Sequence, residues 1–245
     1  MHGPDLHPAR SIGASQLSEV RAILLDIEGT TTPIEFVHQV LFPYARARAK
    51  DHLSEHDIAA LRAEHRAESL QDAPPWNPAD ERGSAEAYVY WLMDRDRKST
   101  ALNELQGRIW EAGYRAGELK GKGELYADVR PALDRWRHAG KRVAIFSSGS
   151  IQAQRNLFAN TIAGDLSPFL SGYFDTTTGP KRDEQSYRRI ATELSQRPEH
   201  VLFVSDVTAE LDAARRAGMQ TALCVRGAPP PTDNGHAVIH TFAEL

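Results

Sequence analysis

A short apolar run, Ala22-Ile-Leu-Leu25, empties into Asp26-Ile-Glu-Gly-Thr-Thr-Thr32. No other feature narrows the fold as much. An apolar run ended by an acid and a glycine has the form of a strand buried in a parallel sheet and opening into a loop. In open α/β sheets the ligand lies just beyond the carboxyl ends of the strands. Asp26 and Glu28 therefore stand where chemistry is expected. Two residues apart, they would point to the same side of an extended segment, an aim that blurs as the chain leaves the strand.

The rhythm that follows is helical. Phe36, Val37, Val40, Leu41 and Tyr44 share one face, with a kink or break expected at Pro43. A second, more polar helix carries Ile58 and Leu61, and Pro74, Pro75 and Pro78 mark a loop. Ser84 is read as the cap of a third helix bearing Tyr88, Trp91 and Leu92. Thr100 is read as the cap of a fourth with Leu102, Leu105, Ile109 and Trp110. No strand alternation appears over 36–116, so a helical insert interrupts an α/β frame. Gly117-Glu-Leu-Lys-Gly-Lys-Gly123 reads as the return hinge, since it lacks the order and preceding strand of a phosphate loop.

From Asp128 the α/β rhythm resumes. Strands are expected at Val143–Phe146, Tyr173–Asp175, Val201–Val204 and Thr221–Val225, with an edge strand within His236–Phe242. Helices are expected over 131–138, 152–158, 186–194 and 210–217, the last stopped by Gly218. Pro229-Pro-Pro231 is a loop. The fold class is thus α/β, a Rossmann-like parallel-sheet core with an inserted helical cap. The expected division is a flexible tail at 1–19, a core of 20–35 and 124–245, and a cap of 36–123.

Composition excludes several classes. With 245 residues and a formal charge of −4, the chain has no basic excess for nucleic acid. No apolar run approaches the ~20 residues that span a bilayer. Residues 1–19 lack the apolar block of a signal peptide, so the expected location is the cytoplasm. The single cysteine, Cys224, reads as an inert core thiol in a reducing compartment.

Three strand ends carry polar groups: Asp26 with Glu28, Ser147 with Ser148, and Asp206; Lys181 follows a fourth. A carboxylate can attack phosphorus and form an aspartyl-phosphate. Two approaching anions need neutralising, which Mg²⁺ does with hard oxygen ligands. A lysine adds a point charge on the phosphoryl group, and serine hydroxyls or backbone N–H groups hold the other oxygens. Each residue alone has a plain reading as a cap or solvated side chain; their order along the chain argues against coincidence.

These residues resemble the haloacid dehalogenase superfamily of phosphohydrolases and, more closely, its enolase-phosphatase (acireductone synthase) family of methionine salvage. The resemblance runs from Ala22 to Leu245. It rests on Leu25–Pro33, Leu41-Phe-Pro-Tyr44, Leu105-Gln-Gly107 with Trp110, Ser147-Ser-Gly-Ser150, Tyr173-Phe-Asp175 with Gly179 and Lys181, and Ser205-Asp-Val-Thr208 with Glu210. The Asp26-x-Glu28 form, in place of the commoner Asp-x-Asp, is what singles out enolase-phosphatases. The resemblance implies a nucleophile and metal ligand at Asp26, and an acid/base at Glu28. Glu28 also ligates through a backbone or side-chain oxygen, and Asp206 completes a site for one Mg²⁺. Ser147 and Ser148 bind phosphate or substrate oxygens, Lys181 binds the phosphoryl group, and Glu210 orients Lys181 or a metal water. The implied reaction is enolisation, then dephosphorylation, of 2,3-diketo-5-methylthiopentyl 1-phosphate by a monomer with no nucleic-acid or membrane partner.

The alternatives are a phosphatase of the same superfamily acting on another small metabolite, a dehalogenase, which Glu28 disfavours, and a catalytically silent binding module. The histidine pairs His52/His56 and His236/His240 have metal-binding spacing, the first with acidic and polar neighbours that read as a solvated face, and Arg46, Arg48 and Lys50 form a small basic run that also reads as a solvated face. Tyr88, Trp91, Trp110 and Tyr114 read as cap core, with one or two free to wall the methylthio end.

Overall fold

The computed structural model describes residues 13–97, 99–227 and 235–245. Pro229–Pro231 and most of the expected tail lie outside them. A helix, α1 (Ala14–Glu19), occupies the end of that expected tail. Lys141 Nζ ties it down by donating to the carbonyls of Leu17 and Val20, each at 2.8 Å.

Strand β1 (Ala22–Leu25) lies inside a six-stranded sheet. The others are β2 (Arg142–Phe146), β3 (Gly172–Phe174), β4 (Val201–Ser205), β5 (Gln220–Cys224) and β6 (Ala237–Ile239). Their order is β3-β2-β1-β4-β5-β6 and every pairing is parallel. All four β1 residues are buried, which explains why the strand is continuously apolar. Ile23 and Leu25 pack with the face that holds Val129, Leu133 and Trp136 of α7 (Val129–His138). Ala22 and Leu24 pack with the opposite face. That face is closed by α9 (Glu184–Glu193) and α10 (Thr208–Arg216). The order reverses between β1 and β4, so the switch point that makes a crevice lies at the carboxyl ends of these two strands.

Between β1 and β2 the chain is helical. The segment α2 (Ile34–Phe36), a π-helical stretch (Val37–Leu41) and α3 (Phe42–His52) runs on without leaving the right-handed region. The expected disturbance at Pro43 is present as the widened π register just before it, where the Phe42 N–H bonds the Val37 carbonyl. Widening relieves the clash a proline ring makes with the preceding turn, and π turns are frequent at functional sites. Then come α4 (Glu55–Glu68), α5 (Glu81–Asp94) and α6 (Thr100–Arg115). They share an apolar cluster with α3 that includes Leu61, Tyr88, Trp91, Leu92, Leu105 and Ile109.

Two caps differ from expectation. Asp80 caps α5 by accepting from Gly83 N, and Ser84 sits inside the helix with its hydroxyl donating to the Asp80 carbonyl. Ser99, one residue earlier than expected, caps α6 through Leu102 N. His52 and His56 fall on different helices.

Phe203 is fully buried in β4 beneath Tyr187, ring centroids 5.1 Å apart. Phe203→Ala should cost ~3–5 kcal/mol in urea unfolding; a loss below ~1 kcal/mol would contradict this account of the core.

Candidate active site

The loop after β1 is a tight turn made by its own threonines. The N–H groups of Thr30, Thr31 and Thr32 converge on the Ile27 carbonyl, and the Thr31 hydroxyl donates to the Asp26 carbonyl at 3.1 Å. Gly29 has φ +69°, and a Cβ there would lie 2.3 Å from Asp206 Oδ2, so both the turn and the approach of Asp206 require glycine. From beneath, Arg226 donates to the Thr30 carbonyl at 2.8 Å and pairs with Asp128 at 2.7 Å.

Asp26 is 5% exposed. Its Oδ1 accepts from Lys181 Nζ at 2.7 Å and from Ile27 N at 2.8 Å. Its Oδ2 lies 2.9 Å from Ser205 Oγ, which is also 3.3 Å from Glu210 Oε2. A hydroxyl has one proton, and the nearer acceptor is Asp26. Lys181 Nζ also contacts Glu210 Oε2 at 2.7 Å, so one ammonium bridges two carboxylates. Burial opposes the Lys181 charge, but Asp26 and Glu210 outweigh it and hold its pKa above the ordinary lysine value. Glu210 is pushed up, by burial first and then by the Asp26 charge, against the pull of Lys181.

Asp206 follows Ser205 at the end of β4 and is open to solvent as a residue, while its carboxyl crowds the Gly29 backbone. Burial of that carboxyl, then repulsion from Asp26, raises its pKa to about 6, with Glu28 adding a little. Glu28 is exposed and lines a cavity of about 370 Å³ together with Ser147, Ser148 and cap residues. The two acids of the first loop therefore diverge: Asp26 turns inward to Lys181, and Glu28 borders the cavity.

Ser147 is buried, with its Oγ 3.3 Å from Gly149 N. Neither it nor Ser148 caps the next helix, α8 (Ile151–Ala159); Ser150 does, accepting from Ala153 N. Gln154 pins this loop by donating to the carbonyls of Gly149 and Phe174, both at 2.8 Å.

The family model for haloacid dehalogenase-like hydrolases matches residues 20–218. The chain is 52% identical over 235 residues to enolase-phosphatase E1 of Synechococcus elongatus, covering 92% of this chain and 98% of that protein. It is 46% identical over 230 residues to enolase-phosphatase E1 of Azotobacter vinelandii, covering 92% and 97%. The chain belongs to the enolase-phosphatase family. It is accordingly an enzyme, a phosphohydrolase of the haloacid dehalogenase-like class. Among solved structures, the UTR4 protein of Saccharomyces cerevisiae is 33% identical with a TM-score of 0.69, covering 92% of this chain and all of that one. A dehalogenase at 21% identity and a TM-score of 0.52 shares the fold.

Within this family member, no three His, Cys, Asp or Glu side chains among the described residues form a ready metal cluster. Mg²⁺ asks for less: one or two carboxylates, with waters and phosphate oxygens completing the shell. Asp26 and Asp206, with a main-chain oxygen from the intervening loop, fit that demand. Burial first, and then the Asp26 charge, raises the Asp206 pKa, and a divalent cation would favour the ionised carboxyl against both.

The sequence reading missed three supports. Ser205, fully buried at a strand end, holds Asp26. Gln154 holds the serine loop. Arg226, paired with Asp128, holds the loop after β1 at Thr30 from 196 residues away in sequence, for which no local pattern exists. The expected pairing of Lys181 with Glu210 is present. Trp110 and Tyr114 line the cavity, whereas Tyr88 and Trp91 belong to the cap cluster. Of the basic run, Arg46 borders the cavity but pairs with Asp94, Arg48 with Glu118 and Lys50 with Glu86. His236 and His240 instead meet Thr221 and the Val225 carbonyl.

An Asp206 pKa of about 6 means the folded state holds that proton more tightly than the unfolded chain. Metal-free stability therefore falls as pH rises from the ordinary carboxyl range through about 6. Asp206→Asn, in chelator, should melt higher than the unsubstituted protein at about pH 8, with the gap shrinking toward about pH 5. A lower melting temperature at the higher pH would contradict this electrostatic assignment.

Proposed function

We propose that the chain enolises 2,3-diketo-5-methylthiopentyl 1-phosphate and then removes its phosphate, giving the acireductone of methionine salvage. The observation that carries this is the inward Asp26, in contact with Lys181 at 2.7 Å, beside a cavity that Glu28 borders under a largely apolar cap wall. In this reading the segment 36–123 is the cap on a core of 20–35 and 124–245.

Asp26, Asp206 and an oxygen of Glu28 would hold one Mg²⁺. When bound, it would lower the charge on the phosphate and favour loss of a proton beside a substrate carbonyl. In the first stage a proton leaves the carbon next to that carbonyl, and the carbonyl oxygen gains one to become the enol. Ser147 and Ser148 fix substrate oxygens while this happens. In the second stage an Asp26 oxygen attacks phosphorus in line. The bond from phosphorus to the ester oxygen breaks, and that oxygen keeps the electron pair and takes a proton from Glu28. Glu28, now ionised, takes a proton from water as the water attacks the aspartyl-phosphate. Inorganic phosphate leaves and Asp26 is restored.

Lys181 supports the attack by orienting Asp26 and placing a positive charge beside the phosphoryl group, and Glu210 with Ser205 keeps Lys181 and Asp26 in place. The same reading makes the protein a cytoplasmic monomer whose partner is the small phosphorylated diketone. It is supported by the sealed free thiol at Cys224 and by the match to family members over 92% of the chain.

The test follows enol absorbance and free phosphate together, with and without Mg²⁺. Both signals should appear only with the metal. Asp26→Asn should lower phosphate release by ~10³-fold or more, and Glu28→Gln should depress it. Phosphate without enol would replace this reading with a phosphatase of another small metabolite. Neither signal from folded protein would leave a binding module.

A further inference from the structure

Gln106 lies on α6 at the seam between cap and core. Its neighbour Gly107 shows how close that seam is, because a Cβ there would stand 3.3 Å from Ser150 Oγ. Gln106 is 6% exposed, and it lines the cavity that also holds Glu28, Ser147 and Ser148. Among the described residues no hydrogen bond ties down its carboxamide, whose polar atoms are not sealed from solvent and are left to the cavity. On the core side of the cavity, by contrast, the Gln154 amide is committed to the serine loop. The wall beside Gln106 is largely apolar, with Leu41, Leu102 and Trp110, while Asn103 and the Tyr114 hydroxyl add polar groups.

We infer that Gln106 is a specificity-determining residue whose carboxamide binds the dicarbonyl portion of the substrate, an inference that rests on the functional reading above. The chemistry suits a carboxamide better than a charged group. A keto oxygen only accepts, and enolisation turns it into a hydroxyl that can donate. The carboxamide offers N–H donors to the first and a carbonyl acceptor to the second, so one side chain serves both states without a change of protonation. A site built to hydrogen-bond a substrate group discriminates against analogues that lack it, because its own polar atoms are then left unpaired. The apolar wall beside Gln106 supplies area for the thioether chain but no such discrimination.

The experiment compares the unsubstituted enzyme, Gln106→Met and Gln106→Glu in saturating Mg²⁺. Two substrates are used, the diketo phosphate and phenyl phosphate, which has an ester phosphate and no carbonyl. Methionine keeps the length and removes both hydrogen-bonding functions; glutamate keeps an acceptor and loses the donor. Gln106→Met should lower kcat/KM for the diketo phosphate by ~10-fold or more relative to phenyl phosphate, with most of the loss in KM. Its melting temperature without substrate should be unchanged, since the amide makes no hydrogen bond within the fold. Gln106→Glu should be the poorer of the two on the diketone, by repulsion between its charge and the keto oxygens. An equal loss on both substrates, or no loss on either, would overturn the inference while leaving the functional reading in place. No turnover of the diketo phosphate by the unsubstituted enzyme would overturn both.

Discussion

One ammonium group between two carboxylates organises the site. Lys181 meets Asp26 and Glu210 at 2.7 Å each, and all three side chains are nearly sealed from solvent. Burying charge is costly, and removing one partner of such a set leaves the others uncompensated. Strands and loops on both sides of the switch point must therefore close on each other for the set to exist. Asp26 comes from β1, Glu210 from α10 after β4, and Lys181 from the loop after β3. Ser205 completes the group by holding the second Asp26 oxygen. Beside this set stands Asp206, whose pKa is raised by burial first and by the Asp26 charge second, a combination that a divalent cation would offset.

The cap supplies what the core lacks. The core end of the cavity is polar, with Glu28 and the serine loop, and the cap end is largely apolar with a single buried amide at Gln106. This division matches a substrate with a phosphate at one end, an apolar tail at the other and carbonyl oxygens between. The π stretch before Pro43 belongs to the same wall, where Val37, His38 and Leu41 border the cavity. A proline that would have broken a regular helix instead sets the register in which these side chains are presented.

Much of this was legible in the chain. Strand β1, the polar strand ends and the helical insert follow from period and from where acids and serines interrupt apolar runs, because those patterns are local. The helix caps were displaced at α5 and α6, where Asp80 and Ser99 compete with nearby hydroxyls at the same task and only the final geometry selects one. The supports of the site were not legible. Ser205 is one more small residue in a strand, and Arg226 reaches Thr30 and Asp128 across the whole core. The amide of Gln106 draws notice only when its surroundings are known to offer it no partner. Long-range satisfaction of buried polar groups leaves no period in a sequence.

The central claim is that Asp26, held by Lys181 and Ser205, takes the phosphoryl group. The most direct measurement is to quench the enzyme during turnover, reduce with borohydride and locate the reduced carboxyl by peptide mass spectrometry. An acyl phosphate is reduced to an alcohol, whereas free carboxylates are not. Reduction at Asp26 alone, absent without substrate, is the predicted result. Reduction at Glu28, Asp206 or Glu210 instead, or none while phosphate is released in a first-turnover burst, would contradict it.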